Sequence, residues 1–215
     1  MHKVAVIDYG MGNLRSVVKA LEHVGDGIQV SVTADPSVVN AADRVVFPGQ
    51  GAIGDCMSAL QRLELGDVIT SALGSKPFLG ICVGFQALLS RSEEDGGTEA
   101  LNVLPGEVVR FAAGQTNPVS SEKLKVPHMG WNQVFQQRPH PLWRDIDDGH
   151  RFYFVHSYYV IPTDPAATAG CSNYGVDFCS AAAGSGWFAT QFHPEKSAHA
   201  GLQLLRNFLA WDGSA

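Results

Sequence analysis

Short apolar runs alternate with amphipathic stretches from the N-terminus to about Leu89. Lys3–Asp8, Ile28–Thr33, Arg44–Phe47 and Lys76–Leu79 hold few polar residues and several β-branched ones. Such runs predict strands buried on both faces, as in a parallel sheet. Between them, Leu14–Val24 sets Leu14, Val17, Val18 and Leu21 on one helical face, with Asn13 as a candidate cap and Gly25–Gly27 as the stop. Further helices are predicted at Pro36–Ala41, Asp55–Leu63, Asp67–Leu73 and around Ala87-Leu88-Leu89. From about Val103 the texture changes. Val103–Phe111, Lys123–Phe135, Arg151–Ile161, Ala167–Cys171, Phe178–Ala183 and Trp187–Phe192 read as strands with few helices between them. Gly184-Ser185-Gly186 reads as a hairpin turn. Arg91–Thr98 and Gly114–Lys123 read as polar loops. The last helix spans Ser197–Trp211, with Leu202, Leu205 and Leu209 as its stripe and Phe208 widening it. The pattern predicts one α/β domain over residues 1–215. Its central sheet is largely parallel, flanked by helices and extended by antiparallel strands.

Composition narrows the function classes. The chain has 215 residues, is 45% hydrophobic and carries a formal net charge of −6. That balance argues against a broad basic face for nucleic acid. No apolar run approaches the roughly 18 residues needed to cross a membrane. The apolar core of Met1–Asp8 is too short for a signal peptide, so a cytoplasmic location is expected. Cys56, Cys82, Cys171 and Cys179 form no C-x-x-C pair and have no histidine at zinc-finger spacing. They are expected to be free thiols, and no metal or cofactor is expected.

Candidate chemistry sits at predicted strand ends. In Gly80-Ile81-Cys82-Val83-Gly84-Phe85-Gln86, a cysteine stands between strand and helix with glycine two residues away on each side. The glycines permit the sharp turn and close backbone approach of a nucleophile elbow. A small buried core cysteine is the competing reading. Pro48-Gly49-Gln50-Gly51-Ala52 puts flexible backbone after another strand, where sites collect in such sheets. Gly10 and Gly12 make only a partial dinucleotide fingerprint, because position 15 is Arg15. In Gln191-Phe192-His193-Pro194-Glu195, the proline restricts His193, and the carboxylate two residues on can orient the imidazole. Cys82, His193 and Glu195 together make an activated-nucleophile set. Val83, directly after the nucleophile, offers an N–H for an oxyanion.

The elbow and the His-Pro-Glu segment resemble those of class I glutamine amidotransferases, over essentially the whole chain. Asp8-Tyr9-Gly10-Met11-Gly12-Asn13, Pro48-Gly49-Gln50-Gly51-Ala52, Val126-Pro127-His128-Met129-Gly130-Trp131-Asn132 and Phe152-Tyr153-Phe154-Val155-His156-Ser157-Tyr158 are similar to segments of imidazole glycerol phosphate synthase glutaminase subunits. The resemblance implies hydrolysis of glutamine through a cysteinyl thioester. It also implies a heterodimer in which ammonia passes to a separate (β/α)₈-barrel cyclase making imidazole glycerol phosphate and an aminoimidazole carboxamide ribotide. By the same resemblance Gln50 or Gly51 supplies the second oxyanion donor. Gln86, Glu94, Ser157 and Tyr158 hold glutamine, and Asn13, Trp131, Tyr153 and Lys196 line the subunit interface. Family members commonly carry a smaller aliphatic residue where Gln50 stands, which bears on how that loop reaches its active orientation. A glutaminase rate that stays low until the cyclase binds its nucleotide is a further expectation. The alternatives are a glutaminase serving another synthase, a peptidase-like relative and a non-enzymatic interaction subunit. The peptidase-like relative would usually carry histidine where Val83 stands.

Overall fold

A computed structural model describes residues 2–116 and 123–214. Six short strands and five helices alternate through its first part. They are β1 (His2–Ile7), α1 (Leu14–Val24), β2 (Ile28–Thr33), α2 (Pro36–Asn40), β3 (Arg44–Gly49), α3 (Ile53–Arg62), α4 (Gly66–Leu73), β4 (Phe78–Cys82), α5 (Val83–Gln86), β5 (Arg91–Ser92) and β6 (Thr98–Glu99). The second part is mostly strand: β7 (Gly106–Arg110), β8 (His128–Gln136), β9 (His150–His156), β10 (Tyr158–Pro162), β11 (Thr168–Asn173), β12 (Asp177–Gly184), β13 (Trp187–Thr190), then α6 (Ala198–Ala210).

The sheet runs β2-β1-β3-β4-β13-β12-β10-β7-β5-β6, with β11, β8 and β9 branching from β12. Its first five strands are mutually parallel. The next members pair antiparallel, apart from β5 with β7. Every residue of β3, β4 and β13 is buried. This follows from layers on both faces: α1 packs against α6, and α2 against α4. Phe47, Phe78, Phe85, Phe152, Phe154, Phe188, Phe192 and Phe208 are all fully buried. Each such side chain contributes roughly 1.5–3 kcal/mol by leaving water.

Two neighbour relations position the site. Thr190 on β13 lies opposite Ile81 on β4, in parallel. Gly49 on β3 lies opposite Cys82 on β4. The C-terminal ends of three adjacent strands therefore deliver the Gln50 loop, Cys82 and the His193 segment to one edge of the sheet.

Several expectations need correction. Ala87-Leu88-Leu89 is not helical, because α5 stops at Gln86. The carbonyls of Ala87, Leu88 and Leu89 accept bonds from the Leu101–Leu104 backbone instead. Asn13 makes no side-chain cap; its backbone oxygen takes the amides of Ser16 and Val17. Arg91–Thr98 is less irregular than a loop, since β5, a 3₁₀ turn at Glu94–Gly96 and the start of β6 lie within it. Arg151–Ile161 is not one strand. It breaks at Ser157, after which the chain leaves β8 and joins β7 and β12. Most of the Gly114–Lys123 loop lies outside the described residues. In α6, Leu204, Leu205 and Phe208 are the large apolar side chains that are buried, with Leu202 and Leu209 packed beside them. No helix among the described residues is long and apolar enough to cross a membrane.

Candidate active site

Cys82 ends β4 in a conformation that L residues rarely adopt, φ 55° and ψ −108°. Such a backbone costs on the order of 1–3 kcal/mol and persists only where its surroundings over-determine it. Here both flanking glycines do so. A Cβ on Gly84 would collide with the Phe47 carbonyl of β3, and one on Gly80 would press within 3.2 Å of Ala189 and of the Gly84 carbonyl. Val83 opens α5, so its N–H belongs to the first turn, which has no acceptor inside the helix.

His193 and Glu195 come from the turn after β13. His193 Nδ1–H donates to Glu195 Oε1 at 2.9 Å, and both side chains are only 2% exposed. Among the described residues, the other ring nitrogen, Nε2, has no hydrogen-bond partner, and neither does Glu195 Oε2. Burial alone would push the imidazole toward its neutral form. The adjacent Cys82 sulfur and the Glu195 carboxylate override that and hold its pKa well above the ordinary histidine value. The imidazole thus has the carboxylate on Nδ1 and the sulfur among its electrostatic neighbours, the groups that a base-activated nucleophile needs.

Cys82 and His193 border a cavity of about 360 Å³, lined also by Gln50, Gly51, Val83, Gln86, Glu94, Ser157, Tyr158 and Lys196. All expected oxyanion and glutamine-holding residues therefore reach one place. Gly51 has φ 92°, and a Cβ on Gly49 would strike the Tyr9 hydroxyl and Val83, so this loop needs both glycines. Burial raises the Glu94 pKa, and the Ile53 N–H that Glu94 Oε2 accepts at 2.9 Å partly opposes it. Both amide protons of Gln86 are engaged, by the Tyr158 carbonyl at 3.1 Å and Gln191 Oε1 at 3.2 Å. Only its oxygen remains for a ligand.

The remaining interface candidates lie elsewhere. Trp131 is 47% exposed on β8 and meets Tyr153 of β9 edge to face at 6.1 Å. Asn13 is exposed at the start of α1. Met129, also on β8, is 62% exposed, so the strand presents an apolar surface. Two polar side chains at the site had no role assigned from sequence. Gln191 is fully buried, and its Nε2 donates to Cys82 Sγ at 3.7 Å. His156 lines the cavity directly before the Ser157 break. Both sit inside the quoted segments, but only their tertiary contacts mark them.

Comparison with known proteins places the chain in a family. The family model for glutamine amidotransferase class-I matches residues 5–211. The chain is 58% identical to imidazole glycerol phosphate synthase subunit HisH of Aromatoleum aromaticum, over 98% of this chain and 99% of that one. It is 57% identical to the subunit of the same name from Pseudomonas putida, over 99% of each. Among solved structures, PurLQS from Thermotoga maritima aligns with a TM-score of 0.72 at 17% identity, covering 97% of this chain and 98% of that one, a likeness of fold. This chain belongs to the class-I glutamine amidotransferase family and, within it, to the HisH subunits of imidazole glycerol phosphate synthase.

Proposed function

We propose that the chain is the glutaminase half of imidazole glycerol phosphate synthase, acting in the cytoplasm as one domain over residues 1–215. It hydrolyses glutamine and hands the ammonia to a separate cyclase subunit. The observation that carries this reading is the buried His193–Glu195 pair, with the His193 imidazole raised in pKa and, like Cys82, lining a cavity that Gln86, Glu94, Ser157 and Tyr158 also line.

In this mechanism the Cys82 sulfur attacks the side-chain carbonyl carbon of glutamine while His193 holds the thiol proton. The C–N bond breaks as His193 passes that proton to the leaving nitrogen, which departs as ammonia. A γ-glutamyl thioester remains. Water then gives a proton to His193 and attacks the thioester, releasing glutamate and restoring the thiol. Glu195 keeps the Nδ1–H tautomer and balances the imidazolium. The amides of Val83 and of Gln50 or Gly51 receive the oxyanion, each worth about 10²–10³-fold in rate. Glu94 offers its free oxygen to the α-ammonium of glutamine, while Ser157 and Tyr158 hold its α-carboxylate. Trp131, Tyr153, Asn13 and Lys196 face the cyclase.

A coupled assay with purified cyclase subunit tests the reading. Glutamine should support cyclase product formation, and a glutamine-analogue electrophile should label Cys82 alone. Absence of both glutamine turnover and labelling in the complex would overturn it. The same assay without cyclase measures basal glutaminase, expected to be far slower than in the ligand-bound complex.

A further inference from the structure

Two buried histidines outside the catalytic set form a directed chain behind the cavity wall. His156 Nδ1 lies 2.7 Å from the Tyr158 carbonyl oxygen, which can only accept. The proton is therefore on Nδ1, and the neutral ring keeps a lone pair on Nε2. His128 Nδ1 lies 3.0 Å from that Nε2, so His128 is the donor there and its own Nε2 is the acceptor. The Asn132 amide stands 3.4 Å from this last nitrogen. Every hydrogen in the series is thus assigned by the carbonyl at its end. His128 is stacked on Tyr174 at 3.9 Å and on Phe154 at 4.9 Å, which leaves the ring little room to turn. Burial lowers both imidazole pKa values, to about 4 for His128 and about 3 for His156, so neither donor–acceptor pattern is scrambled by protonation near neutrality.

The Tyr158 carbonyl takes a second bond, from Gln86. The Ser157 carbonyl takes the Phe111 amide at 3.0 Å. The bend between β9 and β10 is therefore held at each peptide, and two of these donors, His156 and Gln86, also line the cavity beside Ser157 and Tyr158. We propose that His156, kept in its Nδ1–H tautomer by His128, is a positioning residue that sets the Ser157–Tyr158 bend for the α-carboxylate end of glutamine. This rests on the glutaminase reading given above. With His128 absent, Nε2 of His156 loses its donor, and the Nδ1–H tautomer and ring position that serve the Tyr158 carbonyl are held from one side only.

The test uses the complex with the cyclase subunit and compares parent, His156→Asn, His156→Leu and His128→Phe. The asparagine nitrogen occupies the place of Nδ1 and can still donate to the carbonyl; leucine cannot. Loss of a buried donor predicts that His156→Leu raises the glutamine KM about tenfold, with kcat falling by less than about threefold. His156→Asn should return KM to within about threefold of the parent. His128→Phe keeps the stacked ring and should raise KM in the same sense by about threefold, which preserves the test if His156→Leu does not fold. An unchanged KM in His156→Leu or in His128→Phe, or equal KM values for the leucine and asparagine variants, would overturn the proposal. Failure of the parent reading is visible without any variant: glutamine would neither be turned over nor slow alkylation of Cys82 by iodoacetamide in the unmodified complex.

Discussion

His193 and His156 line the same cavity, are almost equally buried, and behave in opposite ways. Behind His193 stands a carboxylate and before it a sulfur, and its pKa is raised against the pull of burial. Behind His156 stands a second neutral imidazole, and its pKa is lowered, first by burial and then by its histidine neighbours. Burial by itself makes a histidine neutral and inert. What turns the buried His193 imidazole into an acid–base group is the sulfur before it and, after that, the carboxylate on its far nitrogen. The two regions thus divide the work: one is built to move a proton, the other to keep its protons in place.

The largest test of this contrast is Cys82→Ala. It removes the nucleophile and should cut glutamine-dependent synthesis by about 10⁴-fold or more. Synthesis from added ammonium salts, which needs only the cyclase, should remain. Both rates are read in one product assay, and loss of both would contradict the assignment.

Glu195→Gln makes the far partner of His193 neutral, as it is for His156. Here kcat should fall on the order of 10³-fold, by analogy with neutralising the carboxylate of a triad. Since the carboxylate is one of the groups that raise the imidazole, the His193 titration should move to lower pH. Ring-carbon NMR over a pH series reads that shift, and an unmoved titration would mean that Glu195 is not its orienting partner.

The contrast also appears in stability. A ring kept neutral in the fold takes up its proton only on unfolding, from the ordinary value of 6.5 down to its folded value of about 4 or 3. In that window the unfolded chain binds more protons, so stability falls as pH falls. Each ring adds at most about 1.4 kcal/mol per pH unit. His193 has the opposite sign: its contribution is present below 6.5 and is lost as pH rises toward its elevated folded value. Denaturant unfolding at pH 6.5 and 4.5 should show His128→Phe with the smaller acid loss, by roughly 1–2 kcal/mol. His140, also lowered by burial, is common to both chains and cancels in the difference.

The smallest expected effect comes from giving His128 what His193 has. Asn132→Asp sets a carboxylate where an amide now meets His128 Nε2. The His128 pKa should rise from about 4 by one unit or more, read by the same NMR titration. The new oxygen would also face the Asn173 carbonyl that the Asn132 amide now serves, a cost of about 1 kcal/mol. No rise would show that burial, not the missing carboxylate, keeps His128 neutral.

The strands and long helices were legible where one periodicity ran unopposed. Leu14–Val24 and Ile28–Thr33 fall on the observed bounds because their apolar spacing is regular and glycines close the helix. Ala87-Leu88-Leu89 misled for a physical reason. An apolar triplet after an elbow looks like a continuing helix, yet those residues are fully buried because the Leu101–Leu104 chain bonds back to them. Arg151–Ile161 misled likewise. Its β-branched and aromatic run carries no glycine or proline at the break, and only the change of neighbours from β8 to β7 and β12 divides it at Ser157.

What the sequence determined alone is local chemistry. A cysteine between two glycines has to turn sharply, and a carboxylate two residues beyond a histidine can reach its ring. What the tertiary structure decided is which of these local devices meet. The parallel pairing of β4 with β13 sets Cys82 beside His193, and the pairing of β8 with β9 sets His128 opposite His156. The reason is that spacing along a chain fixes reach over only a few residues, whereas contact between distant segments depends on strand order and register, which packing of the whole core selects.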